Sequence, residues 1–179
     1  MRVLVISDID DIHWTGGSGS VDAIFALGDL SDSVIMEAWE QFGAPPAFAV
    51  RGNHDVATSF PEGITDLHLR TVDCNGLKLG GFAGAARYKL RGHHQFSQDE
   101  ATDLLKDFPR VDVFLAHDSP TVHAKNDGVH VGLTAFDQFV REKQPGYFLH
   151  GHTHDANRVT QIGQTTVRCV YGYQVLELP

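Results

Sequence analysis

Five short apolar runs in this chain each stop at a polar cluster, and that repeated ending constrains the fold more than any other feature. Arg2-Val-Leu-Val-Ile6 runs into Ser7-Asp8, Ala23-Ile-Phe-Ala-Leu27 into Gly28-Asp29, and Ala47-Phe-Ala-Val50 into Arg51-Gly52-Asn53-His54-Asp55. Further along, Val111-Asp-Val-Phe-Leu-Ala116 runs into His117-Asp118, and Tyr147-Phe-Leu149 into His150-Gly151-His152-Thr153-His154. Continuous apolar runs of this length suit strands buried on both faces. Helical signals lie between them. Val34, Ile35, Ala38, Trp39 and Phe42 share one face over Ser33–Phe42, with Gly43 as a stop. Ser97-x-x-Glu100 is a capping-box pattern ahead of Ala101, Leu104 and Leu105. Thr134–Lys143 carries Ala135, Phe136, Phe139 and Val140, with Pro145 just beyond. The stretch Asn157–Leu178 reads as strands joined by turns at Gly163 and Gly172. Strands alternating with helices, then a β-rich tail, predict a layered α/β domain whose ligands bind where the strands end.

The 179 residues suffice for one hydrophobic core and fall short of two ordinary domains. No repeat or linker divides the chain, so one domain over 1–179 is expected. Lys and Arg number 14 against 23 Asp and Glu, a net charge of −9. That balance disfavours generic nucleic-acid binding, and no basic stripe is visible in the sequence. It leaves room for an anionic substrate drawn in by a bound cation. Cys74 and Cys169 sit in strand-like runs and read as reduced, buried thiols, which suits a cytoplasm. The apolar run Val3–Ile6 is too short for a signal peptide or a membrane span. A cytoplasmic protein without a membrane partner is the expectation.

The polar clusters carry the chemistry. Asp8 with Asp10, Asp29, Asn53 with His54, His117, and His152 with His154 supply carboxylates, an amide oxygen and imidazoles, the ligand types of divalent metal ions. Taken singly, each is an ordinary cap, turn former or surface group. Gathered at one edge, their carboxylates repel unless a cation neutralises them.

Asp8-x-Asp10, Gly28-Asp29, Gly52-Asn53-His54-Asp55, His117 and Gly151-His152-Thr153-His154 resemble the ordered motif set of calcineurin-like metallophosphoesterases, D-x-H, GD, GNH[ED], H and GHxH. Arg87-Tyr88, His94-Gln95-Phe96 and Asp127–Gly132 are similar to a branch of small prokaryotic members that carry an acid in place of the first histidine. The resemblance implies a four-layer α-β-β-α sandwich, two mixed sheets flanked by helices, without a cap domain. It also implies a dinuclear centre: Asp29 bridging, Asp8 and His154 completing the first site, and Asn53, His117 and His152 holding the second. Two divalent ions of this kind share an activated hydroxide that attacks phosphorus. His54 would protonate the leaving alkoxide, oriented by Asp32.

The first motif departs from the family, because Asp10 stands where imidazole is expected. Asp10 as a ligand would favour harder ions, so manganese is the expected metal, with iron, zinc, nickel and cobalt as alternatives. A literal D-x-H occurs at Asp11-Ile12-His13; Asp8 is preferred because it directly follows the strand. Arg87, His94 and His130 are candidate substrate contacts, while His68, His123 and His150 read as structural. The expected activity is hydrolysis of a small phosphorylated substrate, a phosphodiester ahead of a monoester. The alternatives are a nuclease, or a non-catalytic scaffold like those relatives that keep the fold and replace the GNH histidine.

Overall fold

Alternation within single strands sets the layering. The computed structural model describes residues 1–9, 14–155 and 158–179. In β1 (Arg2–Ser7), Val3 and Val5 join one apolar cluster while Leu4 and Ile6 join another. In β2 (Ala23–Ala26), Phe25 goes with the first pair and Ile24 with the second. Successive side chains of a strand point to opposite faces, so each strand faces two cores at once.

Five strands form the first sheet, in the order β13 (Gly172–Glu177), β1, β2, β3 (Ala47–Ala49) and β4 (Ile64–Asp66). β13 is antiparallel to β1, and the remaining pairings are parallel. The second sheet has the order β11 (Val159–Ile162), β12 (Thr165–Cys169), β10 (Tyr147–His150), β9 (Val113–Ala116), β6 (Leu77–Phe82) and β5 (Thr71–Cys74). Its outer pairs, β11 with β12 and β5 with β6, are antiparallel, and the inner ones parallel. Two short strands, β7 (Ala85–Ala86) and β8 (Gln95–Phe96), pair alongside.

Val3, Val5 and Phe25 of the first sheet, with Leu27 just past the end of β2, meet Leu79, Val113, Leu115 and Leu149 of the second in one cluster between them. On the outer face of the first sheet, Leu4, Ile6 and Ile24 pack against Val34, Ile35 and Ala38 of α1 (Asp32–Gln41). On the outer face of the second, Phe114 and Phe148 pack against Ala101 and Leu105 of α2 (Gln98–Leu105) and Phe136, Phe139 and Val140 of α3 (Thr134–Lys143). This is the four-layer α-β-β-α sandwich.

The helices start where local chemistry places them. Ser31 caps α1, and its side chain accepts from Val34 N at 3.3 Å. The Ser97/Glu100 capping box opens α2, with both reciprocal bonds formed. α3 spans the expected Thr134–Lys143 and ends at Gln144, which turns left-handed ahead of Pro145. Parallel pairing makes β1, β2 and β3 run in one direction, and likewise β9 and β10. Their C-terminal ends therefore deliver Asp8, Asp29, Asn53, His117 and His152 to one edge of the sandwich.

Candidate metal centre

The polar residues converge on one small volume at that edge. His117 Nε2 lies 3.3 Å from Asp29 Oδ2 and 2.9 Å from Asn53 Oδ1. Its Nδ1 donates to Leu27 O at 2.8 Å, which fixes the tautomer and leaves Nε2 to face the site. One donor atom each from Asp29, His117 and His152 lies within 4.8 Å of the others. Asp8 Oδ2 accepts from Ser7 Oγ at 2.5 Å and His152 N at 3.0 Å, while Oδ1 meets His154 Nε2 at 3.2 Å. A cavity of ≈ 520 Å³ opens over this cluster, lined among others by Asp8, Asp29, His54, His130, His152 and His154.

The backbone here is strained in a consistent way. Asp8, Asp29, His152 and His154 all adopt left-handed conformations, with φ of 54°, 51°, 61° and 51°. Asp and His tolerate that region better than most residues, and such strain gathers at functional sites. Two motif glycines are explained by close approach. A Cβ on Gly52 would lie 2.1 Å from Asp29 Oδ1, and one on Gly151 would lie 1.9 Å from Ser7 Oγ. Asp55 ties two of the loops together, accepting from Gly52 N at 2.7 Å, Asp29 N at 3.2 Å and Leu30 N at 3.1 Å.

Burial alone would raise the Asp29 carboxyl, but attraction and hydrogen bonding from His117 hold it well below the usual carboxylate range. Burial works to lower His117, yet Asp29, with help from Asp8, pushes it up to about 10. His152 goes the other way. Burial, then repulsion from His117 and His130, pushes it down to about 2. It is thus a neutral imidazole, the form that binds metals. Its Nε2 is buried without a hydrogen-bond partner, 4.0 Å from Asp118 Oδ1. Buried polar atoms are normally paired. This orphan, beside a held carboxylate and a second imidazole, is what a cation-binding cluster looks like without its cation, and the donor set fits a divalent metal.

Not every candidate residue joins this cluster. Asp32 bonds Arg51 rather than the His54 ring: its Oδ1 accepts from Arg51 Nη1 at 2.7 Å, and the guanidinium is an always charged partner. Arg87 is not among the residues lining the cavity. It is held by Glu100 Oε2 at 2.8 Å and Gln95 O at 3.2 Å. His94 is likewise outside that cavity, with Nε2 at 3.1 Å from Ala57 O. Of the three candidate substrate contacts, only His130 lines it, its ring 4.6 Å from that of His152 and its Nδ1 2.6 Å from Asp127 Oδ2. Asp10 and His13 lie outside the described residues.

His68, His123 and His150 are structural, as expected. His68 accepts from Ala83 N at 3.0 Å, and His123 and His150 bond to each other at 2.7 Å. Three residues quoted within the polar clusters had been given no role of their own. Arg51 is buried, braced by Asp32 and lying 3.7 Å above the Phe60 ring. Burial raises the Asp118 carboxyl to about 6, against bonds from Ala86 N and Ser119 N. Asp55 is the third, and its place in GNHD was the available signal.

Residues 1–156 match the family of calcineurin-like phosphoesterases, and the chain belongs to that family. The family generally binds divalent metals, and this chain has the Asp29, His117 and His152 cluster to do so. No curated protein sequence matches the chain significantly. Among solved structures, it is similar to TT1561 of Thermus thermophilus, with a TM-score of 0.61, 14% identity, and 96% of this chain and 89% of that one covered. It is also similar to wild-type Vps29 complexed with zinc from Entamoeba histolytica, with a TM-score of 0.51, 13% identity, and coverage of 96% and 74%. At such identities the likeness is one of fold. No described helix is long and apolar enough to cross a membrane.

Proposed function

We propose that the protein is a metal-dependent phosphoesterase acting on small substrates, phosphodiesters ahead of monoesters. The observation that carries this reading is the convergence of Asp29, His117 and His152 around an unpaired buried imidazole nitrogen under an open cavity. Asp8, Asp29 and His154 would hold one divalent ion, and Asn53, His117 and His152, sharing Asp29, a second; manganese is the preferred ion. Bound cations supply Lewis acidity, lowering the pKa of water and offsetting charge on the phosphoryl oxygens.

The chain's own residues do the rest. His54 is exposed, lines the cavity, and has no hydrogen-bond partner for its ring among the described residues, so it is available to give a proton to the departing alkoxide. Its backbone N–H donates to Asp29 Oδ1 at 2.8 Å, which ties the position of this loop to the metal cluster. His130, oriented through Nδ1 by Asp127, reaches the same cavity and would hold a phosphoryl oxygen. Asp32 holds Arg51 at the cavity wall and acts on geometry rather than on the proton.

The test is hydrolysis of bis-p-nitrophenyl phosphate and p-nitrophenyl phosphate by metal-stripped protein with Mn, Fe, Co, Ni or Zn added back. Metal-dependent turnover that falls about 10²- to 10⁴-fold in His54→Ala, with the metal retained, is the expected result. Tight metal binding without turnover of either ester would favour the non-catalytic scaffold.

A further inference from the structure

Residues 74–98 contain no Asp or Glu, in a chain whose net charge is −9, yet they contain Lys78, Arg87, Lys89, Arg91, His93 and His94. The segment 87–94 forms an arm beside the metal cluster, and its roots are tied down. Arg87 pairs with Glu100 at 2.8 Å, its backbone N bonds Phe96 O at 2.9 Å, and His94 reaches Ala57 O at 3.1 Å. Tyr88 OH accepts from Asn53 Nδ2 at 3.1 Å, which joins the arm to a candidate ligand of the second metal.

The cations between these roots are different. Lys89 and Arg91 are exposed and have no carboxylate partner among the described residues; Lys89 Nζ has only the Tyr88 ring, at 5.1 Å. Together with His93, Gly92, Asn53 and His54 they line a second cavity of ≈ 420 Å³. His54 borders both cavities, so this basic recess adjoins the reaction centre on the side of the proposed proton donor. Uncompensated cations anchored beside a phosphoester site are a receptor for further phosphate oxygens.

We propose that the arm 87–94 recognises a second phosphate, and that the substrate class is a short phosphoester bearing at least one further phosphate on the group that departs toward His54. This rests on the phosphoesterase reading above. A long nucleic acid fits less well, because phosphates beyond the arm would face an acidic surface.

The test compares thymidylyl-thymidine with its 5′- and 3′-phosphorylated forms or, should only monoesters be cleaved, adenosine 5′-monophosphate with adenosine 3′,5′-bisphosphate. One added phosphate is expected to raise kcat/KM about tenfold, an advantage that fades at high salt. Lys89→Gln/Arg91→Gln should bring the ratio close to one. Lys143→Gln, which removes charge at the end of α3, should leave it unchanged. No preference in the wild type, or a preference that survives in the double variant, would overturn the assignment. A larger gain with longer oligonucleotides would instead assign the arm to single-stranded nucleic acid and overturn the short-ester class. Calorimetric titration of adenosine 3′,5′-bisphosphate separates the two readings if no ester is cleaved. Binding lost in the double variant supports the arm although the enzyme reading has failed, and binding retained refutes it.

Discussion

Two groups of histidines lie side by side in this molecule and are built on opposite rules. In the buried pair, every ring nitrogen has a partner. His123 Nε2 meets Thr160 Oγ1 at 2.9 Å, His123 Nδ1 meets His150 Nε2 at 2.7 Å, and His150 Nδ1 meets Gly151 O at 2.9 Å. In the cluster, His117 faces a carboxylate and an amide oxygen at once, and His152 Nε2 is buried with no partner. Only one residue, Gly151, separates His150 from His152. The first arrangement is what stability asks for, since an unmade buried hydrogen bond costs about 1–3 kcal/mol. The second accepts that cost at His152, whose nitrogen stays free for something the chain does not itself supply. Satisfaction of nitrogens, rather than burial or histidine count, separates the structural group from the candidate centre.

That contrast can be broken in several ways. The largest effect is expected from Asp29→Ala or His152→Ala, which should lose stoichiometric metal and at least about 10³-fold in turnover together, read by elemental analysis and ester hydrolysis. Full metal content in either variant would remove that residue from the centre. Next comes His150→Ala. It leaves His123 Nδ1 unpaired and opens a cavity, so it should cost about 2–4 kcal/mol, or about 5–10 °C in Tm for a chain of this size. A smaller loss than Asp29→Ala shows in metal-free protein would reverse the comparison.

The pH response is a gentler probe. Burial pushes His150 down to about 3 and His123 to about 4, against 6.5 for an unperturbed imidazole. Below 6.5 the unfolded chain binds protons that these two refuse, so stability should fall as pH drops from 7 toward 5. In metal-free protein His117 acts in the opposite window: with its pKa raised to about 10, its contribution is full below 6.5 and is lost as pH rises toward 10. His150→Gln should flatten the acid limb of a Tm–pH curve and leave the alkaline limb in place. The smallest effect is expected from Asp32→Asn. Because this carboxylate braces Arg51 rather than His54, turnover should drop less than about tenfold; a loss of about 10² or more would restore the pairing with His54.

The two regions also differ in how far sequence reasoning reached them. The ends of β1, β2, β3, β9 and β10 were legible because each combines a continuous apolar run with an abrupt polar stop. The capping box of α2 and the limits of α3 were legible for a similar reason, since helix ends carry local chemistry. β6 was less so. Its Leu77-Lys-Leu-Gly-Gly-Phe82 carries two adjacent glycines that weaken a strand signature, yet a Cβ on Gly80 would lie 2.9 Å from the Phe108 ring and one on Gly81 would lie 2.8 Å from Leu115 O. Those glycines answer to neighbours distant in the chain. The partners of Arg87 and His94 were hidden in the same way, because nothing local reveals that Glu100 and Ala57 hold them.

What the sequence determined by itself was the residue set and the edge: which side chains carry metal-binding chemistry, and that strand ends present them together. Those facts are local, written in runs and motif spacing. The tertiary structure alone decided who partners whom. It gave Asp32 to Arg51, left His152 Nε2 without a mate while pairing every nitrogen of His123 and His150, and set Lys89 and Arg91 beside His54. Partnership depends on distances between segments far apart in the chain, which become defined only when the two sheets pack face to face.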